Sequence, residues 1–297
     1  MIHDQASKLR RRAQETNRFN LKSPDRGARR IAVTSGKGGV GKSNISLNLG
    51  ICFGRLRKNA LLVDADVNLA NIDILLGIHP QKTLLDAVLR DAFIPDILLD
   101  GPEGLQILPA GSGSIEIMGL EKVVRERLFN GLADLEKRHD VIILDTGAGI
   151  SDAVLEYASG SDEAIVITTP EPTAITDAYA AIKMISSRNP AVKLYLMVNM
   201  VRSRQEAEEV ARNIRLVVEN YLTVMIEPLG FLPVDAHISR AVAAQTPFMT
   251  AFPRCQASLN LMMIARKLLK LPITGSASGG SLFSNLFKSA PSGLLES

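Results

Sequence analysis

From residue 31 to residue 271 the chain alternates short runs rich in Val, Ile and Leu with longer stretches in which apolar side chains recur every three or four positions. The short runs, 31–34, 60–64, 105–108, 141–145, 164–169, 193–199 and 228–232, have the length and branched content of buried strands. The longer ones, 42–57, 120–137, 174–187, 205–221 and 257–270, carry the helical period with one apolar face. Strand followed by helix, repeated, predicts an α/β fold with a mostly parallel sheet and helices on both faces. A parallel strand pair needs a long crossover, and the crossover helix packs back on the sheet. The alternation is unbroken and no segment repeats, so a single domain over 31–272 is expected.

The pattern fails at both ends. Residues 1–30 form an arm without core-like apolar content. It holds nine Lys and Arg against three Asp and Glu, so the +3 excess of the whole chain is concentrated there and the remainder is mildly acidic. Such an arm suits contact with a protein or an anionic surface, or simply a solvated tail. Residues 273–281 have the Gly/Ser composition of a flexible linker. Beyond it, in segment 282–297, Leu282, Phe283, Leu286 and Phe287 fall on one face of a short helix, opposite Ser284, Asn285 and Lys288. That tail reads as a tethered amphipathic element for lipid, the alternative being a helix docked on its own body.

Composition narrows the class. With 46% hydrophobic and 22% charged residues the chain can bury a large core. No apolar run reaches the ~18 residues of a bilayer span, and the first residues lack the apolar stretch of a signal peptide, so a cytoplasmic protein is expected. The two cysteines, Cys52 and Cys255, offer neither a CxxC pair nor a disulfide framework.

The strongest chemical signal is Gly36-Lys37-Gly38-Gly39-Val40-Gly41-Lys42-Ser43, which fits GxxxxGK[ST] directly after one predicted strand and at the start of a helix. Glycine there allows close backbone approach, so successive N–H groups and the helix amino terminus can surround phosphate oxygens. Lys42 is expected on the β- and γ-phosphates of ATP and the Ser43 hydroxyl on Mg²⁺. Lys37 departs from the ordinary pattern. A second lysine is not needed to cradle phosphate within one subunit, which suggests a charge delivered elsewhere.

With that lysine, the loop resembles the deviant Walker A, or MinD/ParA, family of P-loop ATPases of the SIMIBI class. The resemblance extends over about residues 29–271. It implies an ATPase that forms an ATP-dependent homodimer in which Lys37 reaches the partner's phosphates, with Lys37, Lys42 and Asp66 as the catalytic groups. Two more segments carry it. Val63-Asp64-Ala65-Asp66, continuing to Asn71, resembles the first switch: Asp66 would orient the attacking water, Asp64 would hold the Mg²⁺ shell through water, and Asn71 would help close the site. Asp73 reads as a helix cap. Residues 141–150 resemble Walker B and the second switch, with Asp145 on the Mg²⁺ shell through water and Gly147 and Gly149 giving the loop freedom to rearrange. Asn199, Pro233 and Asp235 resemble the adenine-binding elements.

Within the family, cluster-carrying branches need cysteines that this chain lacks, and the tail has no tyrosine cluster of the autokinase kind. Partition ATPases bind DNA through basic surfaces, and Arg202, Arg204, Arg212 and Arg215 could form one or simply a solvated face. DNA is nevertheless the less favoured partner. The tail favours the MinD side, and Asp4-Gln5-Ala6-Ser7-Lys8-Leu9-Arg10 reads as DQAxxLR, resembling the FlhG (FleN, YlxH) branch of flagellar-number regulators. That resemblance implies that Asp4, Gln5, Ala6, Leu9 and Arg10 engage the flagellar GTPase FlhF and stimulate it. It also implies contacts with flagellar switch-complex proteins or a flagellar transcription activator, and peripheral binding to the inner face of the cell membrane in the ATP state. The other readings are a MinD-like division-site protein, a ParA-like partition ATPase, and a binding module that holds a transcription activator inactive.

Overall fold

A computed structural model describes residues 27–66, 71–89, 93–109, 122–222 and 224–271, without the side chains of 85, 88, 89 and 122–129. The arm motif at Asp4, Gln5, Ala6, Leu9 and Arg10 and the tail residues Leu282, Phe283, Leu286 and Phe287 lie outside the described residues, as does the linker.

The strands are β1 (Arg29–Ser35), β2 (Ala60–Ala65), β3 (Leu99–Asp100), β4 (Gln106–Pro109), β5 (Val141–Ala148), β6 (Glu163–Thr168), β7 (Lys193–Val201) and β8 (Ile226–Pro233). They form one sheet in the order β3-β4-β2-β5-β1-β6-β7-β8, parallel throughout except for the β3 edge, which runs antiparallel to β4. The helices are α1 (Lys42–Arg55), α2 (Ile72–Leu76), α3 (Leu84–Leu89), α4 (Lys122–Arg138), α5 (Asp152–Gly160), α6 (Pro172–Arg188), α7 (Arg204–Tyr221), α8 (Ala236–Ala243), α9 (Phe248–Ala251) and α10 (Gln256–Leu268).

Alternation along each strand sorts the side chains onto two faces. Ile31, Val33, Leu62, Ile143, Ile165 and Met197 face one buried cluster with the apolar sides of α1 and α10, whereas Ala32, Ala164, Val166, Leu196 and Val198 face another with α5, α6 and α7. Both faces are covered, which is why the strands read as continuous apolar runs instead of alternating ones.

Every strand and helix expected from periodicity is present, with ends displaced by a few residues. The segment expected at 105–108 pairs as Gln106–Pro109, and β5 continues through Gly147 to Ala148. The elements that periodicity did not reveal are short: β3, α2, α3, α5, α8 and α9 span nine residues at most. In so few residues the helical and strand periods cannot be told apart. One capping assignment is corrected. Asn71, not Asp73, occupies the α2 N-cap, and Asp73 lies inside the first turn. Asp64 serves that end, accepting from the backbone N–H of Asn71 at 3.3 Å and of Ile72 at 3.4 Å.

Candidate active site

The sheet gathers the candidate residues at the carboxyl ends of its central strands, where open α/β sheets hold ligands. In the parallel register Asp64 of β2 stands opposite Asp145 of β5, and Val33 of β1 opposite Asp145. The loop between β1 and α1 therefore closes over two carboxylates.

The loop takes its shape from close approaches. Gly41 is the α1 N-cap in a left-handed conformation, φ 86°, and a Cβ there would lie 2.5 Å from Asn199 Nδ2. A side chain is excluded on both counts. A Cβ on Gly36 would meet the Asp177 carbonyl oxygen of α6 at 2.1 Å, so the first glycine is demanded by packing. Gly38, Gly39 and Val40 complete the turn into α1, whose first N–H groups have no acidic side chain of their own to satisfy them.

The two lysines of the loop are in opposite situations. Lys42 is buried, with Nζ 3.5 Å from Asp145 Oδ1. Lys37 has a side chain 40% exposed, and its Nζ donates to Glu171 Oε2 at 2.6 Å and to Thr173 Oγ1 at 3.1 Å. Its ammonium thus sits on the rim, on the amino-terminal turn of α6. Glu171 and Thr173 escaped sequence reading. The available signal was Pro172 right after Glu171, which marks a helix start with an acid at the N-cap position.

Asp145 is fully buried, Ser46 Oγ donates to its Oδ1 at 2.8 Å, and the neighbouring Ser43 hydroxyl favours its charged form. Its Oδ2 is buried with no hydrogen-bond partner among the described residues. Burial raises the Asp145 pKa, opposed chiefly by the Lys42 ammonium. Asp64 is pushed up to about 7, first by burial and then by the charge of Asp145, against N–H groups of Asp66, Ile72 and Asn71 that pull it down. Two adjacent buried carboxylates, an orphaned oxygen and a hydroxyl make a hard oxygen donor set, which fits Mg²⁺ and its water shell. Ser43, Asp64 and Asp145 would hold that ion, whose charge would neutralise the phosphates.

Asp66 follows β2, its backbone N–H donating to Asp64 Oδ1 at 3.3 Å. Its own Oδ1 lies 3.5 Å from the point where a Gly147 Cβ would be, so this acid and the end of β5 meet. Gly149 has φ 93° and donates its N–H to the Ser35 carbonyl at 2.8 Å, tying the turn after β5 to the start of the glycine-rich loop. Asn71 closes the other end of this loop through Asp64.

On the far side, Asn199 Nδ2 donates to the Val40 carbonyl at 2.8 Å, while its Oδ1 is buried with no hydrogen-bond partner among the described residues. A buried carboxamide oxygen left unpaired beside the phosphate loop suits an exocyclic amine such as that of adenine. Pro233 ends β8, and Asp235 follows as the α8 N-cap, accepting from His237 N–H at 2.9 Å. Its carboxylate is engaged in the cap. In the basic patch, Arg204 and Arg215 pair along α7 with Glu208 at 2.6 Å and Glu219 at 3.1 Å, which neutralises part of that surface.

Comparison with known proteins bears on the family of the chain. The ParA family model, described as NUBPL iron-transfer P-loop NTPase, matches residues 27–269. The chain is similar to the antiactivator FleN of Pseudomonas aeruginosa, 36% identical over 84% of this chain and 89% of that one. It is similar to the flagellum site-determining protein YlxH of Helicobacter pylori, 33% identical over 93% of each. Among solved structures, the MinC:MinD cell division protein complex of Aquifex aeolicus superposes with TM-score 0.65 at 27% identity, covering 84% of this chain and 99% of that one. The chain belongs to the ParA/MinD family of P-loop ATPases.

Proposed function

We propose that this ATPase is a nucleotide-gated dimeric switch that regulates flagellar number or placement. The observation that carries the gating is the contrast between the two lysines. Lys42 is buried against Asp145 within its own subunit, whereas the Lys37 ammonium stands at the rim, where a second subunit can meet it. Support for the flagellar role comes from the relative YlxH, named as a flagellum site-determining protein, whose match covers 93% of each chain, and from the resemblance of the arm to the FlhG (FleN, YlxH) branch.

In this reading the backbone of residues 36–43 and Lys42 hold the triphosphate, Asn199 accepts from the adenine amine, and Pro233 and Asp235 border the base. Lys37 of each protomer leaves Glu171 and neutralises charge on the partner's phosphates as the bond to the leaving group breaks. Asp66 accepts a hydrogen bond from the attacking water and orients it in line. Loss of the γ-phosphate frees the segments after Asp64 and Asp145, and the dimer parts. The arm stimulates the FlhF GTPase through Asp4, Gln5, Ala6, Leu9 and Arg10, and the tail binds the inner membrane surface in the ATP state. No helix among the described residues is long and apolar enough to cross a membrane, so attachment would be peripheral.

A second reading, an ATP-gated antiactivator that holds a flagellar transcription factor, is favoured by the name of the FleN relative. Replacing the native gene with a Lys42→Ala allele tests the flagellar role. The expected result is extra or misplaced flagella, restored by the parent gene. Normal flagellation contradicts the proposal, and a change confined to flagellar transcript levels selects the second reading.

A further inference from the structure

Outside the phosphate site, three metal-ligating side chains of different chemical types converge. The ligand atoms of Asp235, His237 and Cys255 all lie within 4.8 Å of one another. The fold brings them there from two elements: Asp235 and His237 open α8, directly after β8, and Cys255 is the N-cap residue of α10. The surroundings hold each of them. Asp235 Oδ2 accepts from the Ala257 N–H at 3.3 Å, Cys255 Sγ lies 3.3 Å from Ser258 Oγ, and the His237 ring packs against Phe252 with centroids 4.8 Å apart. Neighbouring groups of this kind fix ligand orientation in metal sites.

We propose that Asp235, His237 and Cys255 bind one divalent cation of the zinc class. A carboxylate, an imidazole and a thiol are the donor types that borderline-soft Zn²⁺ selects, in contrast to the oxygen-only set around Asp145 that suits Mg²⁺. Three protein ligands leave one tetrahedral position for water. At present His237 Nδ1 and Asp235 Oδ1 are 2.7 Å apart and hydrogen-bonded. An ion about 2.0 to 2.2 Å from each atom needs them roughly 3.3 Å apart, an adjustment that the partly exposed imidazole can make. Binding forms one bond each to Sγ, Nδ1 and a carboxylate oxygen. The Cys255 thiol loses its proton to solvent, the Nδ1 proton that His237 gives to Asp235 is exchanged through solvent for one on Nε2, and Asp235 binds as a carboxylate.

The test uses the full-length, nucleotide-free chain, stripped with a chelator and titrated with Co²⁺ and then Zn²⁺. The expected result is one Co²⁺ per chain with a thiolate-to-cobalt charge-transfer band, displaced by Zn²⁺. Cys255→Ser should abolish the band while Cys52→Ser keeps it, and His237→Gln should weaken Zn²⁺ binding by about tenfold or more. The Cys255 and His237 variants should melt at the parental temperature without metal, which separates a lost ligand from a lost fold; Cys255→Ala replaces a serine variant that does not fold. Absence of the band in the folded parent, its persistence without Cys255, or unchanged Zn²⁺ affinity in His237→Gln overturns the proposal.

Discussion

Asp64 and Asp145 face each other across two paired strands, both buried, and the Lys42 ammonium lies against Asp145. The consequence is a pH dependence with a definite sign. The Asp64 carboxyl stands at about 7 instead of its ordinary 3.8, so the folded chain holds that proton more tightly than the unfolded chain does. The resulting stabilisation is complete below the unfolded value and is lost as pH rises to the folded one. Asp64→Asn removes the charge and with it the loss. The melting temperature of the nucleotide-free variant should gain on the parent by several degrees between about pH 5 and about pH 8, read by calorimetry. A constant difference across that range would contradict the account. The residues of this site differ in how legible they were. Gly36 to Ser43 are contiguous, and their spacing is set by the phosphates they wrap. Asn199 was named by the family resemblance, but its bond to Val40, 159 residues away, and that of Lys37 to Glu171, 134 residues away, were not. Pairing of that kind is a property of the sheet order, which a linear pattern does not carry.

Elements divided along the same line. α1, α6, α7 and α10, all of 13 residues or more, were legible because several turns repeat the apolar period. α2, at five residues, is held by tertiary groups, its first N–H groups bonded to Asp64, and no periodic signal announces such a helix. The arm and tail, read from composition and motif, lie outside the described residues, and both readings are matters for experiment. Deleting residues 1–20 should leave ATP-dependent dimerisation intact and remove stimulation of the FlhF GTPase; unchanged stimulation would return the arm to a solvated tail. For the tail, each large apolar side chain contributes about 1.5 to 3 kcal/mol when fully buried, so one copy anchors weakly and a dimer presenting two gains avidity. Liposome flotation should occur with ATP and not with ADP, and Phe283→Asp with Phe287→Asp should abolish it without slowing hydrolysis. Equal flotation in both nucleotide states would exclude the anchor.

At the scale of the whole molecule, the sheet order places β1 between β5 and β6, so the loop that follows β1 is flanked by the Asp145 strand on one side and by the strand leading to Glu171 on the other. The two lysines of one loop are thereby turned to different tasks, one inward and one to the rim. In the switch proposed above, that separation lets a subunit hold nucleotide alone and complete its charge neutralisation only with a partner. Light scattering of the purified chain with ATP, ADP and no nucleotide, for the parent, Asp66→Ala and Lys37→Ala, tests it most directly. The parent should be a dimer with ATP and a monomer with ADP, Asp66→Ala should remain a dimer because its ATP persists, and Lys37→Ala should bind ATP but stay monomeric. An Asp66→Ala chain that stays monomeric with ATP while the parent dimerises, or a Lys37→Ala chain that dimerises like the parent, would contradict the account.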